Sequence, residues 1–208
     1  MNDPGRIDRS LSADLRASPS AARKTDLLFA YMERKGDIYY DRSVTQLEHA
    51  LQCARLARGE GSAAQVVTAA LLHDIGHFIL DEHDETADFQ HDDLEHEVVG
   101  ADYMDGLLPG SIVEPIRLHV PAKRYLCAVE PEYRDGLSAG SKKSLDLQGG
   151  PMSDEERREF ARHPHLDTAV RLRRWDDQSK IENLETPPLE AYRADVEASF
   201  EAGSPPSG

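Results

Sequence analysis

Positive charge is scarce in this chain. Of 208 residues, 24 are Lys or Arg against 39 Asp or Glu, a formal net charge of −15, so no general field draws nucleic acid or an anionic bilayer to it. Neither partner is expected. Long apolar runs are also lacking: the longest, Val66 to Leu72, spans seven residues, against the ~20 that a membrane helix needs. Residues 1–20 are polar and charged and show no export pattern. Cysteine is confined to Cys53 and Cys127, which excludes a disulfide framework and fits a reducing compartment, so a cytoplasmic protein is expected. No alternating stretch is long enough to propose a sheet.

What remains is helical spacing almost throughout, in a length that suits one domain. Residues 1–21 and 201–208 read as flexible tails around a helical domain at 22–200. The apolar periodicity predicts helices at about Ala22–Arg34, from a Ser43/Gln46 capping box to about Arg58, at Ala63–Leu72 and onward, and at Leu94–Leu107. An acidic loop, Asp81–Asp93, precedes the last of these. A shorter helix starts at Ser111 and gives way beyond Pro121 to a loop. Ser138–Gln148, a short helix capped by Ser153 and Glu156, His165–Asp176 and Pro188–Phe200 complete the set.

Nine histidines accompany a single tryptophan, and their placement is informative. His49, His73, His96 and His119 each fall among apolar neighbours on a separate helical stretch. One such histidine is ordinarily a hydrogen-bonded core residue. Four converging with the carboxylates of Asp74 and Asp176 suit a metal, because buried imidazoles need a proton partner or a cation. Nitrogen and oxygen donors without thiolate favour iron, manganese or zinc. A carboxylate can bridge two cations, and Asp74 is the natural bridge. His83, His91, His163 and His165 lie in polar loops or near helix starts and read as solvated.

The segment Leu71-Leu-His-Asp-Ile-Gly-His77, with His49 upstream and Asp176 downstream, resembles the HD-domain superfamily of helical metalloproteins. Gln46–Ala54, His96–Tyr103, His119–Leu126, Gln148–Met152 and Arg174-Trp-Asp176 narrow the likeness to HD-domain mixed-valent diiron oxygenases that cleave carbon–phosphorus bonds. The resemblance implies an all-α HD-domain bundle holding two iron ions, Fe(II)/Fe(III), with O2 as cosubstrate. It implies that His49, His73, Asp74 and Asp176 hold one iron, and that Asp74, His96 and His119 hold the other. Tyr39, or Tyr40 beside it, would be a mobile ligand to the second iron. His77, Lys123, Ser141, Ser144 and Gln148 would bind a small-molecule phosphonate, with Tyr39, His77 and Lys123 counted as catalytic.

Where amine-reading members of that family carry glutamate, this chain has Arg42. A guanidinium cannot accept from an ammonium, so the 2-amino substrate is disfavoured. The preferred expectation is 1-hydroxy-2-(trimethylammonio)ethylphosphonate, its quaternary group held by Tyr39 and Tyr40; alternatively, Arg42 reads a substrate carboxylate directly. The rival readings are the 2-amino-1-hydroxyethylphosphonate substrate, giving glycine and phosphate, a metal-dependent phosphohydrolase, which leaves His96, His119 and Tyr39 without a role, and a regulatory binding module. A monomer or small homo-oligomer is expected.

Overall fold

The computed structural model describes residues 7–38, 44–80 and 95–203. Tyr39, Tyr40, Arg42, Ser43, His83 and His91 lie outside them, as does the whole of the acidic loop. Among the described residues there are twelve α-helices and no strand. They are α1 (Ser10–Ala17), α2 (Ala21–Lys35), α3 (Gln46–Gly59), α4 (Ala64–Leu72), α5 (Ile75–Ile79), α6 (His96–Met104), α7 (Gly110–Val129), α8 (Pro131–Gly136), α9 (Ala139–Leu147), α10 (Asp154–Phe160), α11 (Leu166–Gln178) and α12 (Arg193–Gly203), the last led by a 3-10 turn at Leu189–Tyr192. None is long and apolar enough to cross a membrane.

Local chemistry sets several of these boundaries. Ser153 and Glu156 form the expected capping box of α10, and Ser138 accepts from the Ser141 amide at the start of α9. For α3 the box is Thr45 with Glu48, not Ser43 with Gln46. The apolar α4 lies at the centre, packed by α3, α7, α11 and α12. Its Leu71 and Leu72 are buried together with Met32, Trp175, Tyr192 and Phe200. Each such side chain contributes on the order of 1.5–3 kcal/mol by leaving water.

Three expectations are corrected. Residues 10–17, assigned to a flexible tail, form α1, whose Leu11 and Leu15 are buried in the core. The Tyr103 hydroxyl ties this segment down, accepting from Ser12 N at 2.8 Å and donating to Asp8 O at 2.9 Å. At the other end, helix continues through Gly203, and 204–208 lie outside the described residues. Second, α7 does not stop at Pro121 but runs to Val129. Pro121 removes one backbone donor, yet packing against α4, α6 and α11 outweighs that loss. As a result Lys123 sits one turn beyond His119 on the same face. Third, the helix from Ala64 breaks at His73-Asp74, where Asp74 takes φ −101° and ψ 18°, before α5 resumes.

Close backbone contact joins α5 to α6. A Cβ on Gly76 would lie 2.0 Å from the His96 carbonyl oxygen, and one on Gly100 would lie 2.9 Å from the Gly76 nitrogen. Only glycine permits that approach, and it brings His96 to the α4–α5 break.

Candidate metal centre

Four helices and one helix break deliver the cluster. His49 comes from α3, His73 and Asp74 from the break, His96 from α6, His119 from α7 and Asp176 from α11. All but His96 are essentially buried. The two oxygens of Asp74 divide the imidazoles into pairs. Oδ2 lies 3.3 Å from Nε2 of both His49 and His73, and Oδ1 lies 3.3 Å from His96 Nε2 and 3.4 Å from His119 Nε2. Within each pair the Nε2 atoms are 3.2 Å apart. Asp176 Oδ1 joins the first group, 3.4 Å from His49 Nε2.

The outer nitrogens decide what these contacts are. Nδ1 of His49, His73 and His119 meets the carbonyl oxygens of Ser179, Ala70 and Ile116 at 2.6, 2.9 and 2.7 Å. A carbonyl only accepts, so in the neutral rings Nδ1 holds the proton and Nε2 turns its lone pair inward. His96 Nδ1 faces the Glu97 carboxylate at 3.6 Å. Lone pairs facing one another at such distances repel unless a cation sits between them. Two donors each ~2.1 Å from one ion stand roughly 3.0–3.4 Å apart at octahedral or tetrahedral angles. Asp74 Oδ2 and Asp176 Oδ1 are buried and accept no hydrogen bond. The donor set therefore fits first-row metal chemistry.

At His96 and His119 titration favours the same state. Burial, with the nearby His77, pulls His96 down to about 3, and burial lowers His119 as well; both rings are neutral and ligand-ready. Burial opposes charge on His73 and Asp74, but their mutual attraction wins, raising His73 and lowering Asp74. The proton on His73 is the one a cation would displace. Burial likewise opposes ionisation of Asp176, and Arg173 with Lys180 outweighs it. Arg173 Nη1 lies 2.7 Å from Asp176 Oδ2, leaving Oδ1 for the cluster.

Beside this cluster is a polar wall. His77 stacks on His96 with centroids 4.0 Å apart. Lys123, only 2% exposed, donates to Ser144 Oγ at 2.9 Å, and among the described residues no carboxylate lies within ion-pair distance of its ammonium. Burial and the nearby Arg173 pull it down to about 8. Ser141 and Ser144 share a face of α9, and the Gln148 carboxamide oxygen is buried without a hydrogen-bond partner. The structure thus brings His77, Lys123, Ser141 and Ser144 to the six clustered residues and sets Gln148 one turn beyond Ser144 at the end of α9; Tyr39 and Arg42 lie outside the described residues. His163 and His165 pair with each other, the His165 amide donating to His163 Nδ1 at 3.2 Å. Arg173 and Lys180 belong to the site but were not expected there. For Arg173, a position three residues before Asp176 on a helical stretch was the available signal.

Comparison with known proteins agrees with this arrangement. The HD domain family model matches residues 47–124. The chain is 48% identical over 201 residues to the hydroxymethylphosphonate dioxygenase of Gimesia maris, covering 97% of this chain and 99% of that one. It is 43% identical over 159 residues to the glycine-betaine-forming [1-hydroxy-2-(trimethylamino)ethyl]phosphonate dioxygenase of Leisingera caerulea, covering 74% and 79%. An uncharacterized protein of Acanthamoeba polyphaga mimivirus is 38% identical over 164 residues, covering 78% and 75%.

Proposed function

The chain belongs to the HD-domain hydroxyphosphonate dioxygenases, metal-dependent oxygenases, and from that premise we propose that it uses two irons and O2 to cleave the carbon–phosphorus bond of a 1-hydroxyphosphonate. The observation that carries the two-iron reading is the division of Asp74, each oxygen gathering two imidazoles at 3.3–3.4 Å. His49, His73, Asp176 and Asp74 Oδ2 would hold one ion, and His96, His119 and Asp74 Oδ1 the other. When bound, the iron pair supplies Lewis acidity and the redox capacity to use O2.

The remaining residues bind and orient. Lys123 is a buried cation whose described partner is a hydroxyl, and it pairs with the phosphonate. Ser141 and Ser144 donate to phosphonate oxygens, and Gln148 offers its NH2 group. His77, held flat against His96, faces the substrate. Tyr39 is proposed as the displaceable ligand of the second ion. Hydroxymethylphosphonate plus O2 balances to formate plus phosphate, so the substrate supplies every electron and no external reductant is needed.

Similarity over nearly the full length favours hydroxymethylphosphonate as the substrate. That molecule has no C2 group, and Arg42 in the amine-reading position then has no ammonium to meet. The trimethylammonium substrate is the second reading, supported by the 43% relative and by Tyr39 and Tyr40 beside Arg42. Metal analysis tests the proposal: iron-loaded protein should hold nearly two irons per chain, His119→Ala should hold one, and Asp74→Ala should hold none. One metal per chain, unchanged in His119→Ala, would refute the two-iron site.

A further inference from the structure

The segment that follows α11 carries a lysine the functional reading does not yet use. Helix α3 grips this segment at three points. His49 Nδ1 donates to Ser179 O at 2.6 Å, Gln52 Nε2 donates to Ile181 O at 2.8 Å, and Ile181 N donates to Gln52 Oε1 at 3.0 Å. Gln52 is only 2% exposed and stands one turn beyond His49. Residue 180 is therefore fixed from both sides. Its side chain reaches back over the site, with Nζ 3.5 Å from Ser141 Oγ and 3.8 Å from Asp176 Oδ1.

On the same face of α9, Lys123 Nζ reaches Ser144 Oγ at 2.9 Å. Two ammonium groups from different elements thus converge on two hydroxyls three residues apart. Arg173 adds a third cation, but Asp176 and Asp177 both bind it. Among the described groups that act on Lys123, Arg173 and Lys180 oppose its charge and Asp176 and Asp177 favour it. Like charges brought together beside hydroxyl donors are unfavourable until an anion arrives.

We propose that Lys180 is a second phosphonate-binding cation, facing Lys123 across Ser141 and Ser144, and that Gln52 is the residue that positions it. The inference deepens the hydroxyphosphonate reading and rests on it. A phosphonate carries two negative charges and three oxygens, and one lysine with two hydroxyls leaves one charge uncompensated. Lys180 supplies that charge. Gln52 acts at a distance by fixing the backbone from which Lys180 extends.

The test is anaerobic calorimetric titration of hydroxymethylphosphonate into iron-loaded protein, with iron content measured on every sample. Lys180→Gln should keep its iron and bind roughly tenfold or more weakly, and Lys180→Arg should stay within about threefold of the unaltered protein. Gln52→Leu should keep its iron and weaken binding, but should add little in the Lys180→Gln background. Undiminished binding by Lys180→Gln overturns the proposal. So does loss of iron in that variant, because Lys180 would then be supporting Asp176. Full additivity of the two substitutions overturns the role of Gln52. Unaltered protein that binds no 1-hydroxyphosphonate overturns the functional reading itself, and this inference with it.

Discussion

Replacing Lys123 by Met should make the protein more stable and its substrate binding weaker. The ammonium is 2% exposed and bonded to Ser144 Oγ, with Arg173 and Lys180 opposing it and Asp176 and Asp177 only partly compensating. Lowering it from 10.5 to about 8 corresponds to roughly 3 kcal/mol of unfavourable burial at neutral pH. The unfolded chain keeps this proton up to 10.5, whereas the folded chain releases it near 8. The penalty is therefore fully present below pH 8 and disappears as pH rises toward 10.5. Methionine fills a similar volume without charge, so Lys123→Met should raise Tm in metal-free protein, on a scale of ~2–4 °C per kcal/mol for a chain of this size. Binding moves the other way. Loss of a charge-assisted hydrogen bond worth ~1.5–3 kcal/mol weakens hydroxyphosphonate binding by roughly 10–150-fold. In the unaltered protein that affinity should fall as pH rises through about 8, and in Lys123→Met this step should be absent. Thermal melts and anaerobic titrations across pH 6.5 to about 9 measure both effects. A variant that melts lower and binds undiminished would refute the reasoning.

Gly76→Ala should push α6 away from the helix break, because the new Cβ would lie 2.0 Å from the His96 carbonyl oxygen. Overpacking of this kind costs ~1–3 kcal/mol, and iron content should fall toward one per chain while the His49 and His73 pair survives. Leu15→Ala should lower stability by ~2–5 kcal/mol, as for other buried leucines, without changing iron content; calorimetry and metal analysis together check this. Phosphate release, compared between hydroxymethylphosphonate and the 1-hydroxyethylphosphonates bearing amino or trimethylammonium at C2, should be best for hydroxymethylphosphonate and poor for the 2-amino compound. Best turnover with the primary amine would contradict the argument from Arg42.

The helices and the clustered histidines were legible because each of the four sits in an apolar stripe, and burial of imidazole is chemically expensive without a partner. The Asp74 division was legible only as a capacity, since the helix break that turns Asp74 between the two pairs carries no proline and follows the apolar run of α4. Pro121 argued for a stop that tertiary packing overrode. Helix α1 was missed although Ile7, Leu11 and Leu15 repeat every four residues, because two leucines in eight polar-rich residues give a weak stripe until Tyr103 anchors them. Gln52 and Lys180 were invisible for a different reason. Their roles depend on contact between the Gln52 side chain and the backbone of a segment about 130 residues away, and nothing in local periodicity encodes such a contact.

The most direct test follows O2 consumption and phosphate release together, using iron-loaded protein and hydroxymethylphosphonate without added reductant. One phosphate per O2, with neither reaction under anaerobic conditions, is the predicted result. Phosphate released at an undiminished rate without O2 would mark a hydrolase and contradict the account.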